Sequence, residues 1–297
     1  MSTFSRVTET GSRTRVLANL QRSLNRGQVL QEQLSSGKQL LRPSDSPSGT
    51  VTALQLRGEV RATQQYSRNA DDGQAWLGVI QDTLSDVSTQ VNKARDLTVQ
   101  VLNSGSSTDQ SNQAIAVEID NIKASLVESA NTKYMNRPVF GGTTAGSVAY
   151  DANGNYVGDA GQTTRTVGAN TKLRVDTTGP EAFGTGNTQL FAVLQDISDK
   201  IKSGDTNGLN QSLQNLDSAG DSLKSTLSDV GARYNRVTQM KQSAQDRLLT
   251  VTSQLSDIED VDLPKTIMDL QVQQTSYQAA LAASAKVIQP SLIDYLR

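Results

Sequence analysis

Histidine and cysteine are both missing from this chain of 297 residues. Without histidine the commonest general base and metal ligand is gone, and without cysteine so are thiol catalysis, zinc fingers and disulfides. Any catalysis would rest on carboxylates, lysine, tyrosine or serine–lysine pairs. Aromatic residues make up 4% and tryptophan occurs once, as Trp76, which reads as a packing anchor. An excess of charge is lacking too: 28 basic residues stand against 30 acidic ones, without the electrostatic footprint of a nucleic-acid binder. The one local excess, Arg6, Arg13, Arg15, Arg22 and Arg26, reads as a solvated helix face. No apolar run reaches membrane-spanning length, and "MSTFSRVTET" has no hydrophobic core of a secretory signal. Taken alone, these two absences lead to the expectation of a cytoplasmic chain.

Heptad spacing is what the sequence has in quantity. Leu77, Ile80, Leu84, Val87, Val91, Ala94, Thr98 and Val101 follow alternating steps of three and four, the seam of a coiled coil. The rhythm returns at Ile115, Ile119, Ile122 and Leu126. It returns again at Leu227, Val230, Tyr234, Val237, Ala244, Leu248, Val251, Leu255 and Ile258, with Lys241 the polar interruption. A last seam runs Leu263, Ile267, Leu270, Gln274, Tyr277, Leu281, Ser284 and Ile288, and the first segment offers Leu17, Leu20, Leu24, Leu30, Leu34 and Leu41. If residues 47–102 form one helix, with Gly58, Gly73 and Gly78 as points of bending, it is roughly 80 Å long at the α-helical rise.

Breaks divide these helices. In "RPSDSPSG", residues 42–49, Arg42 precedes a proline and is pushed out of helical geometry, so the first helix is predicted to end near Leu41. Ser46 then reads as a cap and Pro47 as the first helical position, where its missing N–H costs nothing. "NSGSSTDQ" (103–110) is a second break, with Thr108 or Asp109 as the next cap, and "KSGDTNG" (202–208) a third. Asp257, Glu259, Asp260 and Asp262 precede a helix carrying Pro264; Asp262 reads as its cap rather than a metal or acid–base site.

Between about Tyr134 and Asn187 helical periodicity vanishes. "VAYDANGNYVG" places alternating apolar residues around Asn153–Gly154, a favoured tight-hairpin dipeptide, and "TTRTVG" and "TKLRVD" read as short strands. Asp151, Asn153, Asn155 and Asp159 imitate a calcium loop, but its glycine would fall on Tyr156 and its closing glutamate on Gln162, so the hairpin is the reading. The fold class expected is mainly α: an elongated antiparallel coiled-coil rod built from the two halves of the chain, with a small β domain inserted in the middle.

Such an arrangement resembles the flagellin superfamily. "RPSDSPSGTVTALQLR" (42–57) is similar to that superfamily's N-terminal hinge motif, with Ser46 where Asp is common, and the likeness extends back through "LSSGKQLL" to Leu34. "SYQAALAASAKVIQPSLIDYLR" is similar to its C-terminal helix. The ending "SLIDYL", "VFGGT" at 139–143 and "YVGD" at 156–159 point toward the hook-associated branch rather than the filament subunits.

The resemblance implies a structural protein of the bacterial flagellum joining hook to filament, with no enzymatic activity and no cofactor or metal. It implies type III export without a cleaved signal peptide, to an extracellular place that replaces the cytoplasmic expectation. Residues 1–41 plus 263–297 would be the axial terminal coiled coil, 42–133 plus 188–262 the helical rod, and 134–187 the exposed β domain. Leu20, Leu24, Leu34, Leu270, Tyr277, Leu281 and Leu292 would pack the assembly, and Pro43, Ser46, Pro47 and Gly49 would form the hinge. Partners would be copies of the chain in a ring, a hook-associated neighbour on the hook side, flagellin on the filament side and an export chaperone, with no nucleic acid and no membrane. The alternatives are a filament subunit or, from another class, a coiled-coil adaptor or binding protein.

Overall fold

The computed structural model describes residues 3–103, 109–144 and 146–288. Seven α-helices are described: α1 (Thr3–Ser36), α2 (Pro47–Asn103), α3 (Asp109–Ala130), α4 (Gly179–Phe183), α5 (Leu190–Ser203), α6 (Thr206–Glu259) and α7 (Leu263–Ile288). Four short strands lie between α3 and α4: β1 (Lys133–Tyr134), β2 (Arg137–Pro138), β3 (Thr164–Gly168) and β4 (Thr171–Arg174). The chain is therefore mainly α with a small β part. By its contacts it divides into two compact units, Met1–Arg61 with Leu249–Arg297, and Ala62–Leu248.

In the Ala62–Leu248 unit the predicted seams become core. Leu77, Ile80, Leu84, Val87, Ala94 and Thr98 are fully buried, with Val91 and Val101 nearly so. Gly58, Gly73 and Gly78 all lie within the single helix α2. Facing α2 in this unit, α6 runs antiparallel: Gln74 Nε2 donates to Tyr234 Oη at 3.0 Å, and Arg95 pairs with Asp217 at 2.6 Å. Lys241, the polar step in the α6 seam, is used by the same packing, because its ammonium lies 2.7 Å from Asp71. The α3 seam closes onto α5. Ile119, Ile122 and Leu126 are buried against Leu194, Ile197 and Ile201, and Lys202 pairs with Asp120 across the two helices.

The β part is organised by turns. Met135 and Asn136 both have positive φ, 48° and 62°, the two central positions of a tight turn joining β1 to antiparallel β2. At Asn153–Gly154 the predicted hairpin forms: Tyr150 bridges Tyr156, and Gly154 has φ 87°. The Asp151 carboxylate accepts from the Asn153 and Asn155 backbone N–H groups and from the Asn155 side chain, so it is committed to the turn. β3 and β4 pair antiparallel with an irregularity at Gly168.

The few aromatics gather here. Tyr150 packs edge-on against Phe183 and Phe191, and Phe140 against Phe183, while Trp76, 2% exposed, meets Tyr134 edge-on at 5.4 Å. The short helix α4, which carries Phe183, has no counterpart in the sequence reading. At five residues it is too short to show a period.

One boundary differs from its prediction. α1 ends at Ser36, not near Leu41. Gly37 takes the left-handed conformation at φ 69°, and its N–H donates to Gln33 O at 2.8 Å, a glycine helix stop that acts before the proline can. The restart follows the predicted chemistry: Gly49 N–H donates to Ser46 Oγ at 3.1 Å, and Pro47 is the first residue of α2. Asp109 opens α3, while Thr108 lies outside the described residues.

Candidate assembly surface

In the other unit α1 packs on α7 as an antiparallel pair. The contact mixes leucines with polar and small residues: Leu20, Ser23, Gly27, Leu30 and Leu34, with Val16, are among the half-buried positions along α1. Gln273 Nε2 donates to Ser23 O at 2.8 Å and to Ser23 Oγ at 2.7 Å, and Gly27 faces Gln273. Along α7 the half-buried or buried positions are Thr266, Leu270, Gln273, Tyr277, Ala280 and Ser284, again in steps of four and three. The predicted α7 seam passed through Gln274 and Leu281 instead. Both are exposed, so the packed face is displaced from the one the leucines mark. The physical reason is room: Ser23 and Gly27 on α1 let the helices approach, and Gln273 finds a backbone acceptor there.

The consequence is an apolar surface in water. Leu17 is 59% exposed, Leu24 43%, Met268 60% and Val272 65%. Val29, Leu263, Ile267 and Leu281 are also exposed. Among the described residues of this unit only Ala53 and Val251 are buried apolar side chains. The residues singled out from sequence divide accordingly. Leu20, Leu34, Leu270 and Tyr277 are half-buried in the helix pair, Leu24 and Leu281 face solvent, and Leu292 lies outside the described residues. A shallow groove between the helices, about 240 Å³, is lined by Leu24, Gly27, Gln31, Leu270, Gln274 and Tyr277.

A charged clasp closes the inner end of the pair. After Gly37 the chain bridges the segment following α6: Gln39 N–H donates to Glu259 O at 2.6 Å and Val261 N–H to Gly37 O at 3.1 Å. Lys38 Nζ lies 2.5 Å from Asp260 Oδ1 and 3.4 Å from Glu259 Oε2, and Arg57 Nε lies 2.7 Å from Glu259 Oε1. Arg57 holds the Glu259 carboxyl below its ordinary value despite burial, and Lys38 does the same for Asp260. Lys38 is raised in return, chiefly by its hydrogen bond to Asp260. Asp262 caps α7, accepting from Lys265 N–H at 3.1 Å. Asp45 stabilises the break, its carboxylate accepting from Leu41 and Arg42 N–H. Neither Lys38 nor Gln273 was singled out from sequence; the acidic run before α7 was the signal that a cation must be near, but nothing local named it.

Of the residues predicted to form the hinge, Ser46 and Gly49 are half-buried, and Pro43 and Pro47 exposed. A Cβ on Gly49 would lie 2.8 Å from Ser46 Oγ and 3.3 Å from a Leu40 methyl, so the turn is tight. Among the described residues no group of three or more acidic side chains is placed to hold a metal ion, and no helix is long and apolar enough to cross a membrane.

Comparison with known proteins bears on the same segments. Residues 9–145 match the bacterial flagellin N-terminal helical region, and residues 213–296 the bacterial flagellin C-terminal helical region. The flagellar hook-associated protein 3 of Escherichia coli (strain K12) is 27% identical over 277 residues, spanning 85% of this chain and 87% of that protein. A flagellar filament 31.3 kDa core protein of Treponema maltophilum is 25% identical over 269 residues, spanning 90% and 91%. Among solved structures, the flagellar junction protein FlgL from Legionella pneumophila has the same fold, with a TM-score of 0.59 at 15% identity over 70% of this chain and 99% of that one.

Proposed function

Because this chain belongs to the flagellin family, we propose that its work is mechanical: it is a structural subunit of the bacterial flagellum that joins hook to filament and assembles through α1 and α7. The observation that carries this reading is the exposed leucine surface of the α1–α7 pair, in contrast to the dry core of the Ala62–Leu248 unit. A two-helix pair buries too little to be self-sufficient, and added copies cover what it leaves in water. Residues 1–41 and 263–297 form the axial layer in this reading, 42–133 and 188–262 the helical layer around it, and 134–187 the exposed β domain. Pro43, Ser46, Pro47 and Gly49 let the chain pass from one layer to the next.

The partners that follow are further copies in a ring, a hook-associated protein on one side and flagellin on the other. Delivery is by flagellar type III export, with a chaperone covering the leucine face of α7 beforehand. No catalytic step is assigned to any residue. The test is Leu281→Asp in a strain lacking the wild-type chain. We expect export with a folded Ala62–Leu248 unit but no incorporation and no motility; normal incorporation would refute the reading.

The second reading, a filament subunit, is favoured by the Treponema relative, which matches over nine-tenths of this chain. Purified subunits separate the two. A junction protein stops after a limited layer or needs a hook-side partner, whereas a filament subunit grows long polymers unaided.

A further inference from the structure

The basic residues near the start of the chain have so far been left as a solvated face. Arg15, Arg22 and Arg26 are exposed on α1, and their spacing of seven and four residues places them within about 40° of one another around the helix, along roughly 16 Å of its length. None of the three has a carboxylate partner among the described residues. Among the described residues, Arg22 is tied only to its own helix, at Ala18 O and the Asn19 side chain, and Arg15 and Arg26 have no side-chain bonds. Such a row keeps its charge without an internal counter-ion.

The counter-charge lies on the other strand of the same unit. Residues 1–61 carry nine lysines and arginines against four acidic residues, and residues 249–297 three against six. Glu259 and Asp260 are spent on Lys38 and Arg57, and Asp262 on the cap, but Asp257 and Asp269 are exposed and have no partner among the described residues. The first arm of the unit therefore presents free cations and the second free carboxylates.

We propose that the Arg15–Arg22–Arg26 row docks on the 249–288 segment of a neighbouring copy, at Asp257 and Asp269, so that the register between adjacent subunits is read by charge. This deepens the assembly reading above and rests on it. A leucine surface is slippery, because any apolar face covers another. A row of guanidinium groups that must meet carboxylates rejects misaligned neighbours and steers the correct ones together.

The absence of cysteine makes the test clean. Two full-length chains are prepared, Arg22→Cys and Asp269→Cys, mixed in equal amounts at assembly concentration and oxidised, so that a disulfide joining the two can form only between copies. A second mixture, Leu24→Cys with Leu281→Cys, reports apolar association. We expect the Arg22–Asp269 cross-link at low salt, reduced about tenfold or more in high salt or when Arg15→Glu and Arg26→Glu are added, and restored in the latter case by Asp257→Arg on the partner chain. Cross-linking at the leucine pair without the Arg22–Asp269 product overturns the charge register and leaves the assembly reading standing. No product from either mixture overturns both. Binding of the arginine row to a soluble polyanion such as heparin, with no cross-link, assigns it to a non-self partner and also overturns the proposal.

Discussion

Leucines on one heptad rhythm meet opposite fates in the two units. Leu77 and Leu84 on α2 are dry, whereas Leu24 on α1 and Leu281 on α7 stand 43% and 44% exposed. Period does not distinguish them; the number of neighbours does. α2 is enclosed by α6, by α3 with α5 and by the β part, but among the described residues the helix packed on α1 is α7. A heptad stripe therefore records a demand for burial, and within one copy of this chain only the Ala62–Leu248 unit meets it.

The largest expected effect is the sharpest test of that contrast. Leu84→Ala removes a fully buried side chain and is expected to cost about 2–5 kcal/mol of unfolding free energy by urea denaturation. Leu24→Ala in the free chain should stay within about 0.5 kcal/mol. Equal losses at the two sites would break the comparison. Hydrogen exchange is the next measure: amides of residues 62–103 and 209–248 should be protected well beyond those of 14–36 and 263–285 in the unassembled chain.

Acid should act first on the clasp. Because the folded-state values of Glu259 and Asp260 are depressed by Arg57 and Lys38, their contribution is complete above their ordinary values of 4.5 and 3.8 and is lost as pH falls through the lower folded ones. Protection at Gln39 and Val261 should therefore fall as the pH drops below these ordinary values, and Glu259→Gln should flatten that profile. A modest effect is expected at Gln273→Ala, on the order of 1 kcal/mol, confined to opening of the α1–α7 pair. Its value is in locating the register, since Ser23→Ala leaves the backbone acceptor in place and should remove only part of the same energy.

Much of this was legible from the residues. The α2 seam was read correctly from Leu77 to Val101 because each of its positions faces other elements, and apolar identity and burial then coincide. On α7 the rule failed by selecting Gln274 and Leu281 over Gln273 and Ala280. A narrow two-helix contact rewards close approach and a hydrogen bond to Ser23 more than apolar area. The stop at Gly37 was visible as a glycine after a leucine-rich stripe, but the stronger-looking prolines at 43 and 47 drew the boundary outward. Lys38 has no local signature. Its meaning comes from residues more than two hundred positions away, Glu259 and Asp260, and no window of sequence contains both. The exposed leucines and the family likeness point the same way, toward the assembly proposed above, and which leucines are left in water was not legible from the heptad pattern.

The bridge between Gln39 and Glu259, and between Val261 and Gly37, also has a mechanical meaning. Two backbone hydrogen bonds and the Lys38–Asp260 pair join the outgoing and returning strands at one level. A pull that slides one strand past the other loads those bonds together rather than one after another, so the joint resists shear better than peeling. Force entering either arm of the chain is shared with the other before it reaches the side-chain contacts of the helix pair, as a rivet spreads load between two plates.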